Sequence, residues 1–324
     1  SSSYVIYGQS NTPAVYGAQL NLSSGVLAAS QGFKIQGNSS GLGFGDTVEN
    51  AGDVNGDGLN DFLVTYEGRH TYVIYGNSLG TPRFFTDTFI NPSDGFRINS
   101  DDVNHGTDAS SAGDVNGDGL ADLLVSAYYT GGSSNDTGVV YVVYGNKTGT
   151  DVNIGTGRNI DSTQGFKITG VTNKYFGQSI SSAGDVNGDG LADMAISSQT
   201  DGNSGSVYVV YGNSASNNLD LAMNTGTIAA SRGFKISSGI TSAGADLGHF
   251  ISSAGDVNGD GLGDMIFTGI WDEYHAGTDN TQSSYVVYGN ANGTAVSVNA
   301  TGGIAASQGF RISGGIASNE VANA

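Results

Sequence analysis

Aspartate and asparagine stand at fixed offsets inside a string, GDVNGDGLxD, that occurs four times along the chain. The first copy supplies Asp53, Asn55, Asp57 and Asp61, and the second Asp114, Asn116, Asp118 and Asp122. The third supplies Asp185, Asn187, Asp189 and Asp193, and the fourth Asp256, Asn258, Asp260 and Asp264. Oxygen-bearing side chains thus fall at loop positions 1, 3, 5 and 9, with glycine at positions 4 and 6. Carboxylates crowded within a few Å repel unless a hard cation sits among them, and Ca²⁺ takes about six to eight oxygens. The backbone carbonyl of position 7, at Leu59, Leu120, Leu191 and Leu262, adds another oxygen. The chemistry implied is binding of about four Ca²⁺ ions. A single DxNxDG also describes an Asx-rich turn, but four copies in one context favour the cation.

The loop resembles the EF-hand loop through position 6 and then departs from it. An EF-hand closes its ligand ring with a bidentate Glu at position 12, where this chain has Val64, Val125, Ile196 and Phe267. Here the aspartate at position 9 closes the ring, followed at once by FLV, LLV, MAI or MIF. A dockerin, which shares the GDVNGDG opening, would run on into a helix. Thrombospondin calcium repeats would need cysteine, and the chain has none.

Net charge is −19, from 30 acidic and 11 basic residues. The eight positive charges of four Ca²⁺ ions would bring it to about −11. Such a chain cannot assemble the basic face that phosphate recognition needs, so nucleic acid is excluded as a partner. Loops of this kind fill reliably where calcium is near millimolar, which implies an extracellular or cell-surface location. No apolar run is long enough for a membrane span. The chain opens at SSSYVIYG, inside a repeat, which reads as a processed or excerpted sequence.

The elements around the loops recur with them, at spacings of roughly 65 to 75 residues. Each unit has four short strand-like pieces, shown by the third copy. FGQSISSAG from Phe176 precedes the loop, DMAISS from Asp193 follows it, and then come SVYVVYG from Ser206 and GFKI from Gly233. The second and third pieces are apolar at consecutive positions, which predicts burial on both faces. A small sheet with two apolar faces satisfies both by packing between copies of itself, and radial stacking gives a β-propeller. The fourth piece is GFKI or GFRI, with a basic third residue at Lys34, Arg97, Lys167, Lys235 and Arg311. That regularity predicts a solvated, outermost strand whose charge discourages edge-to-edge pairing. The preceding Phe33, Phe96, Phe166, Phe234 and Phe310 read as inter-blade core, as do the tyrosines of YVVY.

In this order and spacing the residues resemble the FG-GAP repeats of the integrin α-chain propeller and their bacterial relatives. The resemblance is carried by Phe44-Gly45 or Phe176-Gly177, then AGDVNGDG, then the strand and GxVYVVYG, over nearly the whole chain. The Phe-Gly pair becomes His105-Gly106 and Leu247-Gly248 in two copies, and VTY, VSA, ISS and FTG replace the GAP tripeptide. The resemblance implies an all-β propeller of four-stranded antiparallel blades, with calcium loops between strands one and two. Residues 1–43 form a partial blade holding strands three and four; 44–98, 99–168, 169–236 and 237–312 form complete blades; and 313–324 is the first strand of a further blade. All belong to one propeller domain. The tail Glu320 to Ala324, EVANA, matches VENA before Gly52. Two readings follow: a segment of a longer propeller, or a polymer subunit whose partial blades are completed between copies of the chain.

Up-and-down strand order places all four loops at one end of the blades. The other end, where propellers of this resemblance recognise partners, carries a long segment from Gly269 to Ser283 with Trp271, Asp272, Glu273, Tyr274 and His275. Aromatics beside acids suit a protein or glycan ligand, and the plain alternative is that Trp271 packs over its blade. No nucleophile–base pair, metal-protease helix or phosphate loop is evident, and His70, His105, His249 and His275 fall at unrelated positions. Asp272, Glu273 and His275 are the one set that suggests a polysaccharide-active enzyme. The sequence reads instead as a non-enzymatic, calcium-binding adhesion, surface or matrix module, with a surface polymer or filament subunit as the alternative and a lectin-like binder after it.

Overall fold

The computed structural model describes residues 2–7, 27–37, 44–66, 70–85, 89–100, 108–127, 137–154, 159–171, 175–199, 201, 205–215, 217–221, 226–238, 247–269, 283–298 and 303–313. Within them all regular elements are strands, gathered into five sheets in chain order. The first sheet holds β1 (Ser2–Ile6), β2 (Gly32–Gly37) and β6 (Arg83–Phe85). The second runs β3 (Phe44–Gly52), β4 (Asp61–Tyr66), β5 (His70–Ile74), β7 (Gly95–Ser100), β11 (Val152–Ile154). The third runs β8 (Ala109–Gly113), β9 (Asp122–Ala127), β10 (Val139–Val143), β12 (Gly165–Thr169), β16 (Leu219–Asp220). The fourth runs β13 (Phe176–Gly184), β14 (Asp193–Ser198), β15 (Ser206–Val210), β17 (Gly233–Ser238), β21 (Val296–Val298). The fifth runs β18 (Ile251–Gly255), β19 (Asp264–Thr268), β20 (Ser283–Val287), β22 (Gly309–Ser313).

The apolar second and third strands are buried on both faces, as their unbroken hydrophobic runs require. Val139, Tyr141 and Val143 of β10 pack toward the second sheet, while Val140 and Val142 pack toward the fourth. Four separate cores result, one between each pair of successive sheets. This is the blade-on-blade packing of a β-propeller, with the stabilisation divided among junctions rather than held in one centre. Each fully buried Val, Leu, Ile or Phe contributes about 1.5–3 kcal/mol. Phe33, Phe96, Phe166 and Phe234 lie in these cores, as does Tyr72 with its counterparts Tyr141, Tyr208 and Tyr285.

Two expectations are corrected. The blades are not simply four-stranded, because the connection between strands three and four of a unit adds a short fifth strand to the preceding sheet. β6, β11, β16 and β21 pair in parallel with β2, β7, β12 and β17. The fourth strand is therefore the outermost strand only in the fifth sheet, among the described residues.

In the second and fourth sheets its basic residue is paired with an aspartate rather than solvated. The Arg97 backbone amide donates to Asp151 Oδ1 at 2.9 Å, and its guanidinium meets Asp151 Oδ2 at 2.5 Å. Asp151 stands immediately before β11, so the ion pair fastens the added strand. Lys235 binds Asp201 at 2.6 Å with its ammonium 5.2 Å from the centre of the Tyr208 ring. In register these cations lie directly opposite the buried tyrosines, Arg97 opposite Tyr72 and Lys235 opposite Tyr208.

First strands of successive sheets lie side by side, β3 against β8, β8 against β13 and β13 against β18. Polar bonds link them: Ser111 Oγ donates to the Ala51 carbonyl at 3.1 Å and Ser182 Oγ to the Ala112 carbonyl at 3.0 Å. The Ile180 amide donates to Asp108 at 3.1 Å. Burial pushes the Asp108 carboxyl up to about 6, against the pull of its backbone donors. Among the described residues no helix is long and apolar enough to cross a membrane.

Candidate metal-binding loops

Each aspartate-rich loop joins strands one and two of its sheet, between β3 and β4, β8 and β9, β13 and β14, and β18 and β19. The four are built alike. The position-1 carboxylate faces into its own turn, where Asp53 Oδ1 accepts from the Gly56 amide at 2.7 Å and Oδ2 from the Gly58 amide at 2.8 Å. The same pair recurs at Asp114, Asp185 and Asp256. At position 3, Asn55 Oδ1 accepts from the Asp57 amide at 2.8 Å. At position 5, Asp57 Oδ1 accepts from the Leu59 amide at 2.8 Å. Gly56 and Gly58 take φ of 77° and 85°, values an L side chain rarely adopts, which is why the loop keeps glycine at positions 4 and 6.

Position 9 is placed differently. Asp61, Asp122, Asp193 and Asp264 are fully buried. Each accepts one amide from loop position 2 and one from the glycine after strand three. For Asp61 these are Val54 at 2.9 Å and Gly76 at 2.7 Å. The equivalents are Val115 and Gly145, Val186 and Gly212, and Val257 and Gly289. This carboxylate ties the loop to the end of strand three, which puts the loops after strands one and three at the same end, as expected. Burial pushes Asp61, Asp122 and Asp193 up to about 7; the two amide bonds pull down, and the charges at positions 5 and 1 push further up.

Among the described residues no three His, Cys, Asp or Glu side chains converge as a metal-holding cluster. The position-9 aspartate lies near enough to the carboxylates of positions 5 and 1 for their charges to act on it. The oxygens a cation would use in each loop are those of the side chains at positions 1, 3, 5 and 9 and the carbonyl of position 7.

Successive loops are also joined, which the motif alone did not reveal. The position-8 amides of Ala121, Ala192 and Gly263 donate to the position-1 carbonyls of Asp53, Asp114 and Asp185, at 3.0, 2.9 and 2.7 Å. The Asn146 and Asn290 amides donate to the Val54 and Val186 carbonyls at 2.7 and 2.8 Å. The approach is close enough that a Cβ on Gly113 would lie 2.6 Å from the Ala192 Cβ. The fixed spacing of the repeats was the only signal for these contacts, since backbone donors leave no mark in residue type.

The Leu247-Gly248 variant of the Phe-Gly pair keeps its place, for Leu247 is fully buried in the last core, as Phe176 is in the one before. The segment with Trp271, Asp272, Glu273, Tyr274 and His275 lies outside the described residues, as do His105-Gly106 and the tail from Glu320. Of the histidines, His70 stacks edge-on to Tyr72 in the second sheet, and His249 Nδ1 lies 2.9 Å from Gln199 Nε2 at the fourth and fifth.

Comparison with known proteins agrees with this construction. Residues 53–125 match the FG-GAP-like repeat family and residues 176–210 the FG-GAP repeat family. Over 98 residues the chain is 36% identical to integrin alpha pat-2 of Caenorhabditis briggsae, which covers 30% of this chain and 7% of that protein. It is 34% identical over 101 residues to integrin alpha-7 of Mus musculus, covering 31% of this chain and 8% of that protein. The match thus spans less than a tenth of the length of either relative.

Proposed function

This chain carries FG-GAP repeats of the integrin-α-like family, and on that premise we propose that it is an extracellular, calcium-loaded β-propeller module of adhesion or surface and matrix interaction. The observation that carries the reading is the four-fold repetition of one aspartate-rich loop geometry at one end of the sheets, each loop hydrogen-bonded to the next. In each loop the side chains of positions 1, 3, 5 and 9 would hold the ion with the position-7 carbonyl. In the first loop these are Asp53, Asn55, Asp57 and Asp61, with Leu59 supplying the carbonyl. The cation supplies the positive charge that this crowded set of carboxylates lacks. Its role is structural: it fixes the turn between strands one and two, and through it the inner strands of the stack. The partner is a protein or glycan at the cell surface or matrix, met at the end opposite the loops.

Calorimetric titration of metal-stripped chain with Ca²⁺ tests the metal part of this reading. About four sites are expected; absence of binding heat together with an unshifted melting curve rejects it. Calcium-dependent retention on immobilised matrix proteins or a glycan array tests the adhesion part, and retention that persists unchanged in chelator argues against it.

A further inference from the structure

Asparagine followed by glycine is prone to lose its side-chain amide without an enzyme, because the bare glycine backbone lets its nitrogen swing onto the neighbouring side chain. The pair occurs five times in the chain, at positions 3 and 4 of each aspartate-rich loop and once more at Asn292-Gly293. The two settings differ.

In the loops both reacting groups are held. The glycine nitrogen donates to the position-1 carboxylate at 2.7 Å in all four, from Gly56, Gly117, Gly188 and Gly259. The asparagine side chain is fixed at both ends: Asn55 Oδ1 accepts from the Asp57 amide at 2.8 Å and its Nδ2 donates to Asp57 Oδ2 at 3.2 Å. The same two bonds recur at Asn116, Asn187 and Asn258. A carboxylate against the glycine nitrogen also opposes the negative charge that this atom gathers as it attacks.

Asn292 lies in the turn between β20 and β21. Its side chain is exposed and makes no hydrogen bond among the described residues. The Gly293 amide has one long bond, 3.3 Å, to the neutral carbonyl of Asn290, and residues 283–298 contain no acid. The corresponding turns carry Leu79-Gly80 and Thr148-Gly149, which have no side-chain amide to lose. Gly293 is also seated tightly: its φ is 61°, and a Cβ on it would fall 2.3 Å from the carbonyl oxygen of Ala230, just ahead of β17 in the fourth sheet.

We propose that Asn292 is the site at which the folded chain deamidates, and that its isoaspartyl product loosens β21 from the fourth sheet. The Gly293 nitrogen attacks the side-chain carbonyl carbon of Asn292, closing a five-membered succinimide. The bond from that carbon to Nδ2 breaks, and ammonia leaves with the proton that the glycine nitrogen gives up. Solvent water then opens the ring. Cleavage at the side-chain carbonyl gives aspartate, whereas cleavage at the main-chain carbonyl gives isoaspartate, whose backbone runs through the former side chain and is one methylene longer. That added length falls directly before Gly293, where the seat on Ala230 leaves no slack. The pairing of Val296 with Ile236 lies just beyond. The proposal rests on hydrogen bonding in the chain and not on metal occupancy.

The test ages the full chain in warm, mildly alkaline calcium buffer and follows all five asparagines by peptide mapping and mass spectrometry. Asn292 is expected to gain the mass of an acid at least about tenfold faster than any loop asparagine, with aspartyl and isoaspartyl products resolved by chromatography. In urea, where the loop bonds are gone, the five rates should converge. Hydrogen exchange at Val296–Val298 should be faster in the aged chain than in the fresh one, and ageing an Asn292→Gln chain should leave it unchanged. Loop asparagines that keep pace with Asn292 in the folded chain overturn the proposal, as does an unreacted Asn292 or a rate gap that persists in urea. Equal exchange at Val296–Val298 before and after Asn292 has reacted overturns the effect on β21.

Discussion

The phenol of Tyr75 donates to the carbonyl of Asn146 at 2.5 Å, joining the end of strand three in the second sheet to the same place in the third. Tyr211 makes the same bond to Asn290, also at 2.5 Å, and Tyr7 makes it to Asn77. The ring below packs edge-on against the phenylalanine of its own sheet, Tyr75 on Phe96 and Tyr211 on Phe234. One side chain thus closes its own sheet and latches the next. Burial, with the nearby Asp61 charge, pushes the Tyr75 hydroxyl up to about 12, so it remains a donor at any physiological pH.

Tyr75→Phe keeps the ring and removes only the latch. A loss of about 1 kcal/mol is expected, whereas Tyr75→Ala opens a cavity and costs about 3–5 kcal/mol. Urea melts of the two variants, with an unchanged far-ultraviolet spectrum for the first, check the difference.

Removing the cation should cost much more than any single latch. With four loops releasing like charge at one end, the melting temperature in excess chelator is expected to fall by more than about 10 °C at neutral pH. Asp114→Asn, which removes one ligand charge, should reproduce part of that loss. An identical melt with and without chelator would sink the idea of structural calcium.

The metal-free chain has its own pH dependence. Asp61, Asp122 and Asp193 ionise near 7 in the folded chain and near 3.8 when unfolded, so folding favours their protonated forms. Their contribution to stability is complete below about pH 4 and is lost as pH rises through about 7. Asp108, raised to about 6, acts in the same direction. Metal-stripped chain in chelator-treated buffer should melt at least roughly 5 °C lower at pH 8 than at pH 5. Calcium should flatten or reverse that slope, because it favours the ionised form.

Asp151 offers a test of the added strands. Asp151→Ala removes the acceptor of the Arg97 amide and the carboxylate that its guanidinium meets. A loss of about 1–3 kcal/mol is expected. Hydrogen exchange at Val152–Ile154 should speed up while exchange at Val139–Val143 stays slow, which separates fraying of β11 from general unfolding.

Much of this architecture could be read from residue types, because it is written in side chains that repeat. The consecutive apolar positions of VVYVV implied two buried faces, and β10 divides its residues between two cores. The acids and glycines of the loop announced its turn. Three things left weaker traces. The added strands are two or three residues long, as in Leu219–Asp220, too short to show a period. The recurring Lys or Arg looked like an edge guard, because charge alone does not distinguish a solvated cation from one paired with a distant aspartate such as Asp151. The two amide partners of the position-9 aspartate come from the loop and from a glycine after strand three, and spacing within the motif cannot reveal the second contact.

The parallel fifth strands also give the stack a direction. Because β11 belongs to the third unit yet borders the second sheet, deleting a unit from the C-terminal side strips the rim of the sheet left behind. Deleting one from the N-terminal side leaves every remaining rim in place. Loss of one unit therefore falls unequally on its neighbours, since the sheet before it loses its outer strand while the sheet after it keeps its own.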